Sequence, residues 1–258
     1  MNKIKKVWHV LTHEGLHSFS KKLAVYYTKE RKIATRALVY PYASFRLPIE
    51  ANKQPSINSA VNLIFDGFRG TFAPMQIRSE ISGLCEIIKK AEPKTVLEVG
   101  TSAGGSLFLF CRFSTPDATI VSIDLPKGFT GGFHLKITNS LHKKFASRLQ
   151  KLTLLRKNSH KQETLELLKN IIKNKQIDFL FIDADHTYEG VKRDYELYSP
   201  LVRKGGIIGF HDIVRKSKEE VGWEGTHRFW DEVKLGKNYK EIIENPNQAC
   251  MGIGVIFT

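Results

Sequence analysis

The sequence predicts an α/β fold: a doubly wound, mostly parallel seven-stranded sheet of Rossmann-like type carrying a helical N-terminal extension. Three observations carry that expectation. An apolar run, Thr95-Val-Leu-Glu-Val99, enters a glycine-rich turn, Gly100-Thr-Ser-Ala-Gly-Gly105. Short β-rich runs then recur with helical stretches between them, the alternation that crossover helices impose on parallel strands. Several of those runs end in acids and imidazoles, at the strand ends where open α/β sheets bind ligands.

The elements follow in chain order. Residues 1–36 hold nine lysines and arginines against Glu14 and Glu30, about half of the chain's net charge of +14. Ile4, Val7, Trp8 and Leu11 share one helical face, and Leu16, Phe19, Leu23 and Tyr26 continue it, so this arm reads as a basic amphipathic helix. Two uses stay open for it: docking on an anionic membrane face or acidic partner, or packing on the rest of the chain with a solvated lysine face. Tyr40–Pro48 and Ala51–Ser56 are rich in breakers and read as connectors. Helices are expected over Ile57–Gly70 and over Gln76–Ala91, the second on the spacing of Ile77, Ile81, Leu84, Ile87 and Ile88. Beyond the first strand, further strands are expected over Thr119–Leu125, Leu152–Asn158, Ile177–Ala184, Gly206–Phe210 and Gly252–Thr258. The division that follows is a basic extension over residues 1–75 and a catalytic-type domain over 76–258.

Composition bounds the function. At 258 residues, 41% hydrophobic and 26% charged, the chain can bury a substantial core. Cys85, Cys111 and Cys250 are widely spaced in apolar stretches and read as reduced packing residues, which suits a cytoplasmic protein. No apolar run approaches the roughly 18 residues of a membrane span. The N-terminus lacks a signal-peptide core, so the mature chain is expected to begin near Met1.

The strand ends supply the candidate site. In the order Glu98-x-Gly100-x-x-x-Gly104, a carboxylate precedes the turn, which would repel phosphate and suits a cationic ligand instead. Glu98, Gly100, Thr101, Ser102, Gly104 and Gly105 are the expected cofactor loop. Asp124, closing the second strand, is positioned to accept both hydroxyls of a ribose. Asn158, Ser159 and His160, after the third, could meet an adenine edge or be simple turn residues. The fourth strand releases Asp183, Asp185 and His186 within one turn of chain, and the fifth ends in His211-Asp212. Adjacent strands lie about 4.8 Å apart, so Asp183 and the His211-Asp212 pair could converge on one divalent ion; Asp183 or Asp185 could instead cap the following helix. Trp223, His227 and Trp230 could line an acceptor pocket or belong to the core.

The glycine loop resembles motif I of the class I S-adenosylmethionine methyltransferases. The run Phe181-Ile-Asp-Ala-Asp-His-Thr-Tyr-Glu-Gly-Val-Lys-Arg-Asp194, with Gly205-Gly-Ile-Ile-Gly-Phe-His-Asp212, resembles the cephalosporin hydroxylase-like and macrolide-sugar O-methyltransferases, and more distantly the catechol and caffeoyl-CoA O-methyltransferases. The resemblance covers Gln76–Thr258. It implies S-adenosylmethionine as cofactor, held by the loop residues with Asp124, Ser159, His160 and Asp183. It also implies a divalent metal, magnesium or manganese, on Asp183, His211 and Asp212, with His186 as general base. One departure stands out: the family has a carboxylate where this chain has His211, which leaves Asp185 as an alternative ligand. The implied reaction is methylation of a hydroxyl, with a vicinal diol of a sugar, glycan or natural product as acceptor, in a homo-oligomeric enzyme; the resemblance leaves the basic arm unexplained, so peripheral membrane contact stays one of its two open uses. Two other functional classes meet objections in the sequence. A nucleic-acid methyltransferase would suit the charge, but no Asn-Pro-Pro-Tyr type motif follows the fourth strand and Asn245-Pro-Asn-Gln248 is misplaced for one, so no nucleic-acid partner is expected. A non-catalytic protein on the same scaffold would not need Glu98, Asp124, Asp183, His186 and Asp212 together.

Overall fold

The computed structural model describes residues 39–54, 56–126, 136–214 and 225–258; the basic arm over 1–36 and Trp223 lie outside the described residues. The chain divides into two compact units, Met1–Tyr42 and Ala43–Thr258. Of the first, residues 39–42 are described and are helical. The second unit therefore begins well before residue 76. The reason is packing: the helix α1 (Ile57–Asp66) buries Ile57, Ala60, Val61 and Ile64 along one face, and Phe72 after it is fully buried. Ser56 starts α1 through a reciprocal capping box with Ser59, and a short 3-10 turn over Gly67–Gly70 ends it. The helix α2 (Arg78–Ala91) buries Ile81, Leu84, Cys85 and Ile88, and Glu92 closes it in a left-handed conformation.

From there the chain alternates as expected: β1 (Thr95–Val99), α3 (Gly105–Phe113), β2 (Thr119–Asp124), α4 (Lys136–His142), β3 (Lys151–Arg156), α5 (Gln162–Ile171), β4 (Ile177–Ile182), α6 (Tyr188–Tyr198), β5 (Val202–His211), α7 (Gly225–Val233), β6 (Asn238–Ile242) and β7 (Ile253–Phe257). The seven strands form one sheet in the order β3-β2-β1-β4-β5-β7-β6. All neighbours pair in parallel except β7, which runs antiparallel to both β5 and β6. The sequence located six of these strands. It missed β6, whose Asn-Tyr-Lys-Glu-Ile is exposed along most of its length and shows no apolar run.

The central strands are buried on both faces, which accounts for their continuous apolar sequences. Leu97, Val99, Val121, Ile123, Leu180, Ile182, Ile208 and Phe210 meet the inward faces of α5, α6 and α7 in one core that includes Tyr198, Phe229 and Trp230. Trp230 is thus a core residue. Its indole N–H donates to Glu241 at 2.6 Å, and His227 is buried on the same helix, so these two side chains pack inward. The three cysteines are free thiols. Among the described residues, no helix is long and apolar enough to cross a membrane.

Candidate active site

The strand order reverses at β1, which has β2 on one side and β4 on the other, so the turn after β1 opens into the crevice at the switch point. Gly100 fits there for two reasons. Its φ is +100°, and a Cβ at that position would lie 2.1 Å from the carbonyl oxygen of Asp183. The glycine loop and the acidic end of β4 are therefore in direct backbone contact. Ser102 is left-handed at φ +46°, and Gly104 and Gly105 lead into α3. Asp124 binds the loop: its Oδ2 accepts the backbone N–H groups of Thr101 at 3.2 Å and Ser102 at 3.0 Å, while Oδ1 accepts that of Leu125 at 2.7 Å.

Glu98 does not face the crevice. It is fully buried, with Oε1 accepting from the Ser106 hydroxyl at 2.7 Å and Oε2 from the Ser122 hydroxyl at 2.8 Å. Register explains this, since Glu98 stands directly opposite Ser122 on β2 and Phe181 on β4. Burial pushes its carboxyl up to about 8, against the Ser106 and Ser122 hydrogen bonds and the charge of Arg156. The Arg156 guanidinium donates to the Thr101 hydroxyl at 2.9 Å and to Asn139 at 3.1 Å. Thr101 in turn hydrogen-bonds Ser122, so Glu98 supports the loop from beneath and does not line it.

The ends of β4 and β5 bring the carboxylates and imidazoles together in two pairs. His186 Nδ1 lies 2.8 Å from Asp212 Oδ2, and His211 Nδ1 lies 3.1 Å from Asp183 Oδ1. Asp212 takes a left-handed φ of +59°, turning its carboxylate off the strand toward His186. Burial opposes charge on His186, but the hydrogen bond it donates to Asp212 and the charge of Asp183 outweigh it and hold its pKa above the ordinary value. His211 is buried more deeply; there too burial opposes the imidazolium, and the neighbouring Asp183 and Asp212 push it up to about 9.

The donors that converge differ from the expected set. Asp183, His186 and Asp212 each offer an atom within 4.8 Å of the other two, and among the described residues this is the one such group. His211, expected as a ligand, is not in it; its ring stands behind Asp183 at 4% exposure, with Nδ1 directed at that carboxylate. Gln76, which the sequence did not single out for function, donates from Nε2 to the other oxygen of Asp183 at 3.0 Å. In the sequence it stood only as the first residue of the helix expected over Gln76–Ala91, which carries no functional signal. Asp185, the alternative ligand, turns away and accepts from the Thr187 N–H at 3.0 Å and hydroxyl at 2.8 Å, fixing the start of α6. The backbone carbonyl of Ser159 accepts the Tyr198 hydroxyl at 2.6 Å, and His160 faces Asp194.

Comparison with known proteins bears on this geometry. A family model described as a methyltransferase domain matches residues 97–213, from β1 to just past Asp212. A Dictyostelium discoideum protein named "Probable caffeoyl-CoA O-methyltransferase 3" is 32% identical over 132 residues, which is 50% of this chain and 47% of that protein. An uncharacterised protein, R132, of Acanthamoeba polyphaga mimivirus is 32% identical over 118 residues, 46% of this chain and 51% of that one. The matched region thus spans about half the length of these curated relatives. Among solved structures, the O-methyltransferase from Bacillus cereus in complex with S-adenosylhomocysteine superposes with a TM-score of 0.53 at 18% identity, covering 81% of this chain and 90% of that one. TomG from Streptomyces achromogenes, an O-methyltransferase of tomaymycin synthesis solved with S-adenosylmethionine, gives 0.53 at 17% identity over 78% of this chain and 89% of its own. At those identities the structures establish the shared fold. With the family match and the Dictyostelium relative, they make residues 97–213 similar to the methyltransferase domains of class I, caffeoyl-CoA O-methyltransferase-like proteins.

Proposed function

We propose that the chain transfers the methyl group of S-adenosylmethionine to a hydroxyl of a small-molecule or glycan acceptor, with a divalent cation, magnesium or manganese, at the ends of β4 and β5. One observation carries the reading: the backbone of Gly100 in the cofactor-type loop touches that of Asp183, so the loop and the group Asp183, His186 and Asp212 share one crevice. S-adenosylmethionine supplies a methyl on a sulfonium, and a cation at the acidic end supplies a lowered pKa for a bound hydroxyl. Two carboxylates and an imidazole fit such an ion, the imidazole favouring manganese or a later divalent metal over magnesium.

The chain's own residues then have distinct tasks. Asp124, ordered at the end of β2 by the Thr101 and Ser102 N–H groups, binds the ribose hydroxyls. Gly100, Gly104 and Gly105 let the backbone approach the cofactor, and Asn158 to His160 meet the adenine. Asp183 and Asp212 would hold the cation, which would bind a vicinal diol of the acceptor. The Nδ1 side of His186 is directed at Asp212, the orientation that a carboxylate imposes on a general base, and His186 takes the acceptor's proton.

A second role for His186, as third metal donor, is favoured by its place within 4.8 Å of both carboxylates. Assaying methyl transfer from S-adenosylmethionine to a panel of catechols and sugar diols, with and without manganese, tests the activity. Measuring manganese affinity of His186→Gln separates the two roles. A base leaves that affinity intact while activity is lost, and a ligand loses both. Absence of methyl transfer to every diol, with S-adenosylhomocysteine bound, would refute the acceptor class.

A further inference from the structure

Helix α6 carries Gly190, Asp194 and Tyr198 four residues apart, on one face of the helix, and the turn after β3 lies against it. Tyr198 is fully buried and its hydroxyl donates to the Ser159 carbonyl. Asp194 is also fully buried, yet neither of its oxygens accepts a hydrogen bond among the described residues. Its ion-pair partner is His160, whose Nε2 lies 3.4 Å from Asp194 Oδ1. A carboxylate withdrawn from water without hydrogen bonds is tolerated only where a cation faces it. His160 is held ready for that role: Asp194 first, then the nearby Asp185 and the Gly190 backbone, favour its protonated form over the opposing effect of partial burial. A Cβ at Gly190 would lie 2.1 Å from the carboxyl carbon of Asp185, so the glycine leaves room for the residue that orders the start of the same helix.

Asn158 is exposed, and Ser159 and His160 are half-buried; within the turn Asn158 Oδ1 accepts the His160 N–H at 2.8 Å, and the Asn158 carbonyl accepts the Thr164 hydroxyl at 2.7 Å, contacts that tie it to the start of α5 but not to α6. We propose that Asp194 is a positioning residue for cofactor binding: through His160, and together with Tyr198 through Ser159, it pins the Asn158–His160 turn to the helix that begins just after His186. This rests on the S-adenosylmethionine reading above. A turn fixed before binding loses less freedom on meeting its ligand, so the pair contributes to affinity without touching the cofactor through Asp194.

The test is calorimetric titration of the full chain with S-adenosylhomocysteine for wild type, Asp194→Asn, His160→Gln and the double variant. Each single change is expected to weaken binding roughly tenfold, and the double to weaken it no further, because both remove one contact. Imidazole nitrogen NMR supplies a readout that general loosening would not move. The His160 ring, identified by its loss in His160→Gln, should take up its second proton at a higher pH in wild type than in Asp194→Asn. Unchanged affinity and an unchanged ring signal in Asp194→Asn, or additive losses in the double variant, would overturn the inference. Should Asp194→Asn fail to fold, wild-type affinity in His160→Gln overturns it equally. A wild-type chain that binds no S-adenosylhomocysteine overturns the cofactor reading and this inference with it; wild-type binding with unaffected variants overturns this inference alone.

Discussion

Replacing Glu98 by glutamine should remove most of a pH dependence of stability that wild type shows between about pH 4.5 and 8. The side chain is fully buried, and its carboxyl is raised from an ordinary 4.5 to about 8, burial being the largest cause. The folded chain therefore keeps its proton across a range in which the unfolded chain releases it. Stability from this group is fully present below about pH 4.5, declines as pH rises, and is gone above about pH 8. At about 1.4 kcal/mol per tenfold difference in proton affinity, the full decline is on the order of 5 kcal/mol. Glutamine keeps the geometry, accepting from Ser106 through Oε1 and donating to Ser122 from the amide nitrogen, but it has no proton to lose. Urea unfolding of both proteins from pH 5 to pH 9 checks this, since groups unaffected by the substitution cancel in the difference. The two should be similar in stability near pH 5, with Glu98→Gln more stable by several kcal/mol near pH 9. Parallel pH profiles would refute the assignment of Glu98 as a buried, neutral support beneath the loop.

The remaining expectations concern the crevice. Gly100→Ala places a Cβ 2.1 Å from the Asp183 carbonyl oxygen in a left-handed backbone, and should cost more than about 2 kcal/mol in urea unfolding while abolishing S-adenosylhomocysteine binding. His186→Gln should lower the methyl-transfer rate by about 10²- to 10⁴-fold while leaving S-adenosylhomocysteine affinity within about twofold, as read by single-turnover assay and calorimetry. Gln76→Leu frees one oxygen of Asp183 from its hydrogen bond, and should weaken manganese binding by about 10- to 100-fold, the range found when the groups that orient metal ligands are removed.

Much of this was legible in the sequence, and the limits have physical causes. Strands β1, β2, β4, β7 and the second half of β5 announce themselves because burial demands apolar runs, and β3, half-buried at the sheet edge, is marked by Leu152, Leu154 and Leu155 alone. Strand β6 is held by pairing to β7 alone at the sheet edge, so nothing in its composition marks it. Glu98 was read as a ligand-facing acid because it precedes the turn; only the register opposite Ser122, and the arrival of Ser106 from α3, show that its charge is suppressed in the core. The spacing brought two histidines and two aspartates to neighbouring strand ends. Which ring joins the carboxylates depends on the left-handed backbone at Asp212, and patterning does not encode that. The pairing of His160 with Asp194 joins residues 34 apart in sequence, on different elements, and had no local signal.

The central claim is that one crevice holds both the cofactor and a cation. It is tested most directly by calorimetric titration of S-adenosylhomocysteine into wild type and Asp183→Ala, each with and without manganese. Binding to both proteins, with a manganese response in wild type alone, is the expected result. Absence of S-adenosylhomocysteine binding to wild type, with or without manganese, would contradict the claim.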